Sequence, residues 1–202
     1  MPDRLETPAS AAHEVVELLA RSARGDESAW RELIALYGRR VFAMARSRCR
    51  RDDVAEEITQ SVFVTVATKF AGGEYTEQGR FESWLFRITM NRVRDEVRRQ
   101  QRQAVPTDPA GLGGATTVPV ESIRSDEKEI RALREALEAL AEADREVIEL
   151  RHHAGMSFNQ IAHILSEPVG TVLARHHRAL RKMKDHIESM NDGSGRRERG
   201  IA

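Results

Sequence analysis

The chain has 202 residues, a formal net charge of zero, 40% hydrophobic residues and 32% charged ones. That is enough apolar material for packed cores and too little for a membrane protein. No run approaches the roughly 18 to 20 consecutive apolar residues of a membrane-crossing helix, and Met1 to Ser10 lacks the apolar stretch of a secretory signal, so a cytoplasmic protein is expected.

Residues 1–12 carry Asp3, Glu6 and two prolines with little to bury, and read as a disordered N-terminus. From Ser28, Trp30, Leu33, Ile34, Tyr37, Val41 and Ala45 recur at three-and-four spacing, the pattern of one helical face. Asp52 and Asp53 suit the positive end of a second helix. Along it Ile58, Val62, Val66 and Phe70 repeat every four residues, up to Gly72-Gly73. A third helix, about Phe81 to Arg102, starts with Phe81, Trp84, Leu85 and Ile88 and ends in arginines, which predicts a buried root and a wet, basic tip.

Between 103 and 125, Pro106, Pro109, Pro119 and the run Gly111 to Gly114 leave few large apolar groups to offset ordering, so a flexible linker is expected. Beyond it Ile130, Leu133, Leu137 and Leu140 form an amphipathic helix, followed by Val147, Ile148 and Leu150 in another that Gly155 should end. Residues 191–202, glycine-containing and charged, read as a disordered tail. The fold class expected is all-α, with one helical domain over 13–102 and a second over 126–190.

Zero net charge is an average of unlike parts. Arginines crowd into Arg39 to Arg51, Arg87 to Arg102 and Arg175 to Lys184, whereas Glu121 to Glu149 is rich in Asp and Glu. Such blocks on folded helices create local fields that attract phosphate in one place and repel it in another. The arginine-bearing surfaces are therefore expected to face solvent.

The sharpest local signal is Ser157 to Lys184. Ser157 and Gln160 have capping-box spacing, and Phe158, Ile161, Ala162 and Leu165 form the inner stripe of a short helix. Ser166-Glu167-Pro168 forces a turn. The next helix turns Val169, Val172, His176, Ala179, Leu180, Met183 and Ile187 inward and Thr171, Ala174, Arg175, Arg178 and Lys182 to another face. Two helices, a tight turn and a basic face describe a helix-turn-helix, whose second helix fits the DNA major groove.

These residues resemble a known family. The run Leu140 to Val147 (LAEADREV), with Gly155-Met156-Ser157, Ile161-Ala162 and Pro168-Val169-Gly170-Thr171-Val172, resembles the fourth conserved region of bacterial sigma-70 factors. Ala55-Glu56-Glu57-Ile58-Thr59-Gln60 with Phe63 resembles the polymerase-binding helix of the second region. Phe81, Trp84-Leu85, Ile88, Asn91, Asp95 and Arg98-Arg99 resemble its promoter-melting helix. The absence of a long middle domain points to the short, extracytoplasmic-function group.

The resemblance implies a factor that catalyses nothing itself and needs no cofactor, but directs core RNA polymerase to promoters. Glu56, Glu57 and Gln60 would meet the clamp helices of the largest subunit, and the flap of the second-largest subunit would hold the second domain. The loop Ala71 to Arg80 would capture a flipped base of the −10 element, with Arg80 at its end, Asn91 hydrogen-bonding, and Arg87, Arg92, Arg98 and Arg99 on phosphates. Trp84 fits core better than base stacking, given its neighbours. Arg175, His177 and Arg178 would meet the −35 element, with Thr171 and Lys182 beside them. Leu173 and Ala174 stand where relatives carry a basic residue and a serine, which puts base readout there in doubt. Ala141 for a proline and Ser61 for an acidic residue are milder departures. An anti-sigma protein is a further partner that the family often uses.

Two rival readings follow from the residues alone. One is a helix-turn-helix regulator that works without polymerase. The other is a metal hydrolase using His152, His153, His163, His176 and His177, but adjacent histidines on a helix point about 100° apart and no H-E-x-x-H motif is present. No metal is expected.

Overall fold

The computed structural model describes residues 8–103 and 121–198, with side chains over 13–103 and 129–190. Among the described residues there are eight helices and no strand: α1 (Pro8–Ala23), α2 (Glu27–Cys49), α3 (Asp52–Ala71), α4 (Phe81–Gln103), α5 (Glu121–Glu138), α6 (Glu142–His152), α7 (Phe158–Leu165) and α8 (Val169–Glu198).

The local causes of these helices are plain. Pro8 opens α1 at the position where a missing N–H costs nothing. Asp26 caps α2, accepting from the amides of Ser28 and Ala29 at 2.9 and 3.2 Å, and Arg21 donates to its carboxylate at 2.9 Å. Asp52 and Asp53 occupy the first turn of α3. Ser157 and Gln160 form the reciprocal capping box that their spacing predicts: the Ser157 amide donates to Gln160 Oε1 at 2.8 Å and the Gln160 amide to Ser157 Oγ at 3.3 Å. Gly155, at φ +67°, lets the Met156 amide donate back to Leu150 O at 3.0 Å and closes α6. Ser166 ends α7 in the left-handed conformation (φ 57°, ψ 42°), and Pro168 O accepts from the amides of Thr171 and Val172 to start α8.

Three boundaries differ from expectation. Residues 8–12, expected to be disordered, form the first turns of α1, whose Leu19 is buried with Val15 and Leu18 packed near it. The linker expected over 103–125 is helical at both ends, in α4 to Gln103 and α5 from Glu121; its remainder lies outside the described residues. The tail expected from 191 continues α8 to Glu198, because extending an existing helix costs far less than starting one. Residues 1–7 and 199–202 lie outside the described residues.

The core follows the predicted stripes closely. Leu33, Tyr37, Val41 and Ala45 of α2, Ile58, Val62, Val66 and Phe70 of α3, and Phe81 and Leu85 of α4 are buried. Ile34 is 45% exposed, and so are Ile130, Leu133 and Leu180 to a similar degree. On α5 the buried residues are Ala132 and Ala136, one position before the expected Leu133 and Leu137, while Leu140, just beyond the helix, is buried as expected. A small cluster of Ala136, Leu140, Ile148, Ala179 and Met183 joins α5, α6 and α8.

The main core does not stop at the domain boundary. One apolar cluster includes Leu33, Phe86 and Met90 from the first half and Leu150, Met156, Ile161 and Val172 from the second. The two domains are docked, α7 lying on α4 and α6 reaching α2. The expectation that the arginine-bearing surfaces face solvent is corrected here. Arg48 on α2 is 3% exposed and pairs with Glu142 and with Glu149, which is fully buried on α6. Pairing offsets the desolvation of these groups only in part: Glu149 Oε1 has no hydrogen-bond partner, and burial raises the Glu149 pKa despite Arg48.

Candidate polymerase and nucleic-acid interface

Three surfaces carry the residues that the sequence singles out. On α3, Val54, Ala55, Ile58 and Val62 turn inward, which leaves Glu56, Glu57 and Gln60 exposed together on the far side. Arg51 donates to Asp53 just before them, holding that carboxyl below the usual range. Helical periodicity alone produces this acidic and amide face.

The second surface is α4 with the loop before it. Trp84 lies half-buried in an aromatic group: near-parallel to Phe70 at 6.3 Å and 7°, 4.5 Å from Tyr75 and 5.9 Å from Phe81. It fills core rim, as its neighbours predict. Trp30 flanks the same Phe70 at 5.6 Å. The Tyr75 hydroxyl donates to Glu77, and burial raises its proton affinity. Glu77 Oε1 in turn accepts from the amides of Gly79 and Arg80, and Gly79 sits at φ +71°, so the loop is folded by one carboxylate. The Arg80 side chain is exposed at its end.

Along α4, Asn91, Arg92 and Arg98 are exposed. Arg92 donates to Thr65 Oγ1 at 3.2 Å, and Arg98 stands 4.0 Å from Asp95. Arg99 is forked on Glu96 at 2.7 and 3.1 Å, which lowers that carboxyl. Arg87 points elsewhere and donates to the His163 carbonyl of α7 at 2.8 Å.

The third surface is α8. Val172, His176, Ala179 and Met183 are buried, and Thr171, Ala174 and His177 are exposed. Arg175 is drawn back to Glu167 at 2.9 Å. Arg178 forks onto Asp144 of α6 at 2.8 and 3.2 Å, and Lys182 joins the same carboxylate at 3.1 Å. Asp144 is 4% exposed, and the Arg178 and Lys182 hydrogen bonds hold its pKa low. Arg181, midway between buried Ala179 and Met183 in sequence, points away from the core and is exposed. Sequence reasoning passed over both Asp144 and Arg181. Periodicity could have found Arg181, but no local signal links Asp144 to a helix 34 residues on. Leu173 is half-buried and Ala174 exposed, so of the two departures only Ala174 offers an open position.

The histidines do not converge. His152 Nε2 and His176 Nε2 approach to 3.3 Å with nearly stacked rings. Among the described residues no group of three His, Cys, Asp or Glu side chains is placed to hold a metal ion. Burial lowers the pKa of both His153 and His176, and each has an unpartnered Nδ1. No described helix is long and apolar enough to cross a membrane.

Comparison with known proteins bears on the same elements. The family model for Sigma-70 region 2 matches residues 33–103, and that for Sigma-70, region 4 matches residues 136–185. The chain is 30% identical over 185 residues to the ECF RNA polymerase sigma factor SigD of Mycobacterium tuberculosis, covering 87% of this chain and 84% of that one. It is 32% identical over 171 residues to the ECF RNA polymerase sigma factor SigE of Mycolicibacterium smegmatis, covering 82% of this chain and 65% of that one.

Among solved structures, CnrH in complex with the cytosolic domain of CnrY superposes with a TM-score of 0.64 at 25% identity, over 85% of this chain and 96% of that one. The sigma factor RpoE of Bartonella quintana, in complex with the anti-sigma factor NepR, shares the fold, with a TM-score of 0.58 at 21% identity over 78% and 96% of the two chains. With α2 to α4 matching region 2 and α6 to α8 matching region 4, in that order, the chain belongs to the sigma-70 family of RNA polymerase sigma factors, in its extracytoplasmic-function group.

Proposed function

We propose that this chain docks on core RNA polymerase through Glu56, Glu57 and Gln60 and directs it to promoters, reading a −10 element with α4 and its preceding loop and a −35 element with α8. The observation that carries the reading is the face of α4. Asn91, Arg92 and Arg98 stand exposed beyond a rigid aromatic root, next to a loop that Glu77 folds and Arg80 ends. A flipped base costs a few kcal/mol of stacking and pairing, which a pocket and phosphate contacts must offset. The loop supplies the pocket wall, and the arginines supply the contacts.

On α8 the groove-facing group is Thr171, Ala174, His177 and Arg181, flanked by Arg178 and Lys182 from their place on Asp144. Arg175, paired with Glu167, joins by exchanging that carboxylate for phosphate or base. The clamp helices of the largest polymerase subunit and the flap of the second-largest are the partners assigned to regions 2 and 4, and an anti-sigma polypeptide is assigned as a further partner, as in the complex of RpoE with NepR. The chain itself carries out no catalysis in this reading.

The test is run-off transcription with purified core enzyme on promoters selected from a random library. Core plus chain should initiate at a defined sequence class, and Arg92→Ala with Arg98→Ala should abolish opening while retaining core binding. Specific duplex binding by the chain alone, unchanged when core is added, would instead support the polymerase-independent regulator.

A further inference from the structure

We infer that the cleft between α2 and α5 is a binding site for a small organic polyanion of the nucleoside-polyphosphate class. None of its lining residues is among those assigned to polymerase or promoter, so the inference stands apart from those assignments.

Two helical stripes make the walls. On α2, Arg39, Phe42, Ala43 and Arg46 recur at three-and-four spacing, and on α5 Ile130, Leu133, Arg134 and Leu137 do the same. The cleft measures about 630 Å³, within the ~300–1,000 Å³ of small-ligand pockets. Apolar surface is left open in it: Ile130 and Leu133 are exposed on one wall, and Phe42 is half-buried on the other.

Six arginines line this space, against the single carboxylate of Glu138. Three of them are already paired: Arg46 with Asp52, Arg48 with Glu142 and Glu149, and Arg50 with Glu138. The others are not. Arg39 and Arg134 are exposed and meet no carboxylate or other acceptor among the described residues. Arg145 is held by the carbonyls of Leu137 and Glu138 rather than by an acid. Its pKa is lowered, by burial first and then by Arg48, as befits a place short of negative charge.

Like charges gathered without counterions raise the local potential, and a ligand carrying several negative charges relieves it best. Guanidinium forks match phosphate oxygens two at a time, and their planes also stack on flat rings. The apolar side chains between the forks call for an apolar part on the same molecule. A base joined to a chain of phosphates has both parts. A nucleic-acid strand offers the same phosphates, but a recess of this size with an apolar wall favours the small molecule.

The test measures binding of N-methylanthraniloyl derivatives of ATP and GTP to the full free chain by fluorescence anisotropy, with circular dichroism on each variant. Arg39→Glu with Arg134→Glu reverses the unpaired cations, and Arg24→Glu with Arg31→Glu makes the same charge change at exposed positions outside the cleft. Leu133→Ala trims the apolar wall. Unlabelled ATP and GTP, inorganic tripolyphosphate, adenosine and a short mixed-sequence DNA strand are the competitors.

At least one labelled nucleotide should bind saturably, and its affinity should fall about tenfold or more in Arg39→Glu with Arg134→Glu while the control stays near wild type. Arg39→Gln with Arg134→Gln, which removes the charges without reversing them, should give a smaller loss in the same direction. Tripolyphosphate should compete more weakly than the nucleotide, and adenosine not at all. Leu133→Ala should weaken the nucleotide and leave tripolyphosphate unchanged. Absence of saturable binding, equal losses in the cleft and control variants, or a DNA strand that competes as well as the nucleotides overturns the inference. No polymerase enters the measurement, so its outcome is independent of the promoter-reading proposal.

Discussion

Arg178 on α8 and Asp144 in the first turn of α6 form a two-pronged pair, at 2.8 and 3.2 Å, that ties the helix proposed to read the −35 element to the frame behind it. Lys182 closes on the same carboxylate, so a single buried acid sets the angle of two cations.

Asp144→Ala should therefore act twice. Removing a nearly buried acceptor that holds two cations should cost about 1–3 kcal/mol of stability, and the loosened cations should weaken −35 recognition. The Asp144 pKa is lowered, so its contribution is present above the ordinary carboxylate range and is lost as pH falls through the lowered value. Thermal melts on a series from neutral to acid pH check this: the gap between the wild type and Asp144→Ala should be widest at neutral pH and narrow as pH falls below the ordinary carboxylate range.

Reversing the charge of the α3 face should strike polymerase binding and leave folding alone. Glu56→Lys with Glu57→Lys changes exposed groups with no role in the core, so stability should move by less than about 0.5 kcal/mol per site. Competition for core enzyme against unlabelled wild-type chain should show at least a tenfold loss of affinity.

Glu149 makes stability fall toward alkaline pH. Burial pushes its carboxyl up to about 8, against the pull of Arg48 and Arg145. The folded chain thus binds a proton there that the unfolded chain has released, and stability declines as pH rises between the ordinary value and 8. His153 and His176, lowered by burial, act oppositely: they favour folding as pH rises, up to their ordinary 6.5. Between 6.5 and 8 the histidine slope fades and is common to the wild type and Glu149→Gln, so their difference isolates the Glu149 slope, at no more than ~1.4 kcal/mol per pH unit. Denaturant unfolding across that window should flatten in Glu149→Gln.

Ser166→Gly should stabilise the turn between α7 and α8. Ser166 holds φ 57°, a conformation costing a residue with a side chain roughly 1 kcal/mol that glycine avoids. A rise in melting temperature is expected with −35 binding retained.

Much of the architecture was legible because helices declare themselves by periodicity. The stripes Leu33 to Ala45 and Ile58 to Phe70, the Ser157 and Gln160 box and the proline turn are local features, and each forms where expected. The candidate residues on α3, α4 and α8 were legible as faces by the same rule. Their pairing was not. Asp144 with Arg178, Arg94 with Glu146 and Arg87 with the His163 carbonyl each join positions 34 to 76 residues apart, a relation no local pattern encodes. The docking of the halves was missed for the same reason. Exposed-looking arginines such as Arg48 read as solvated until a second domain supplies the carboxylates. Helix α1 was missed through the weight given to polar residues and prolines before it, although Val15, Leu18 and Leu19 carry the spacing.

The aromatic group around Phe70 has a practical yield. Trp30 and Trp84 are the chain's two tryptophans, and both lean on that one ring. Indole emission is therefore a private reporter of the first half, silent about the second, whereas ellipticity at 222 nm sums over both. Melting curves recorded by the two optical signals will superimpose if the halves unfold as one cooperative unit, and separate if the second half lets go first.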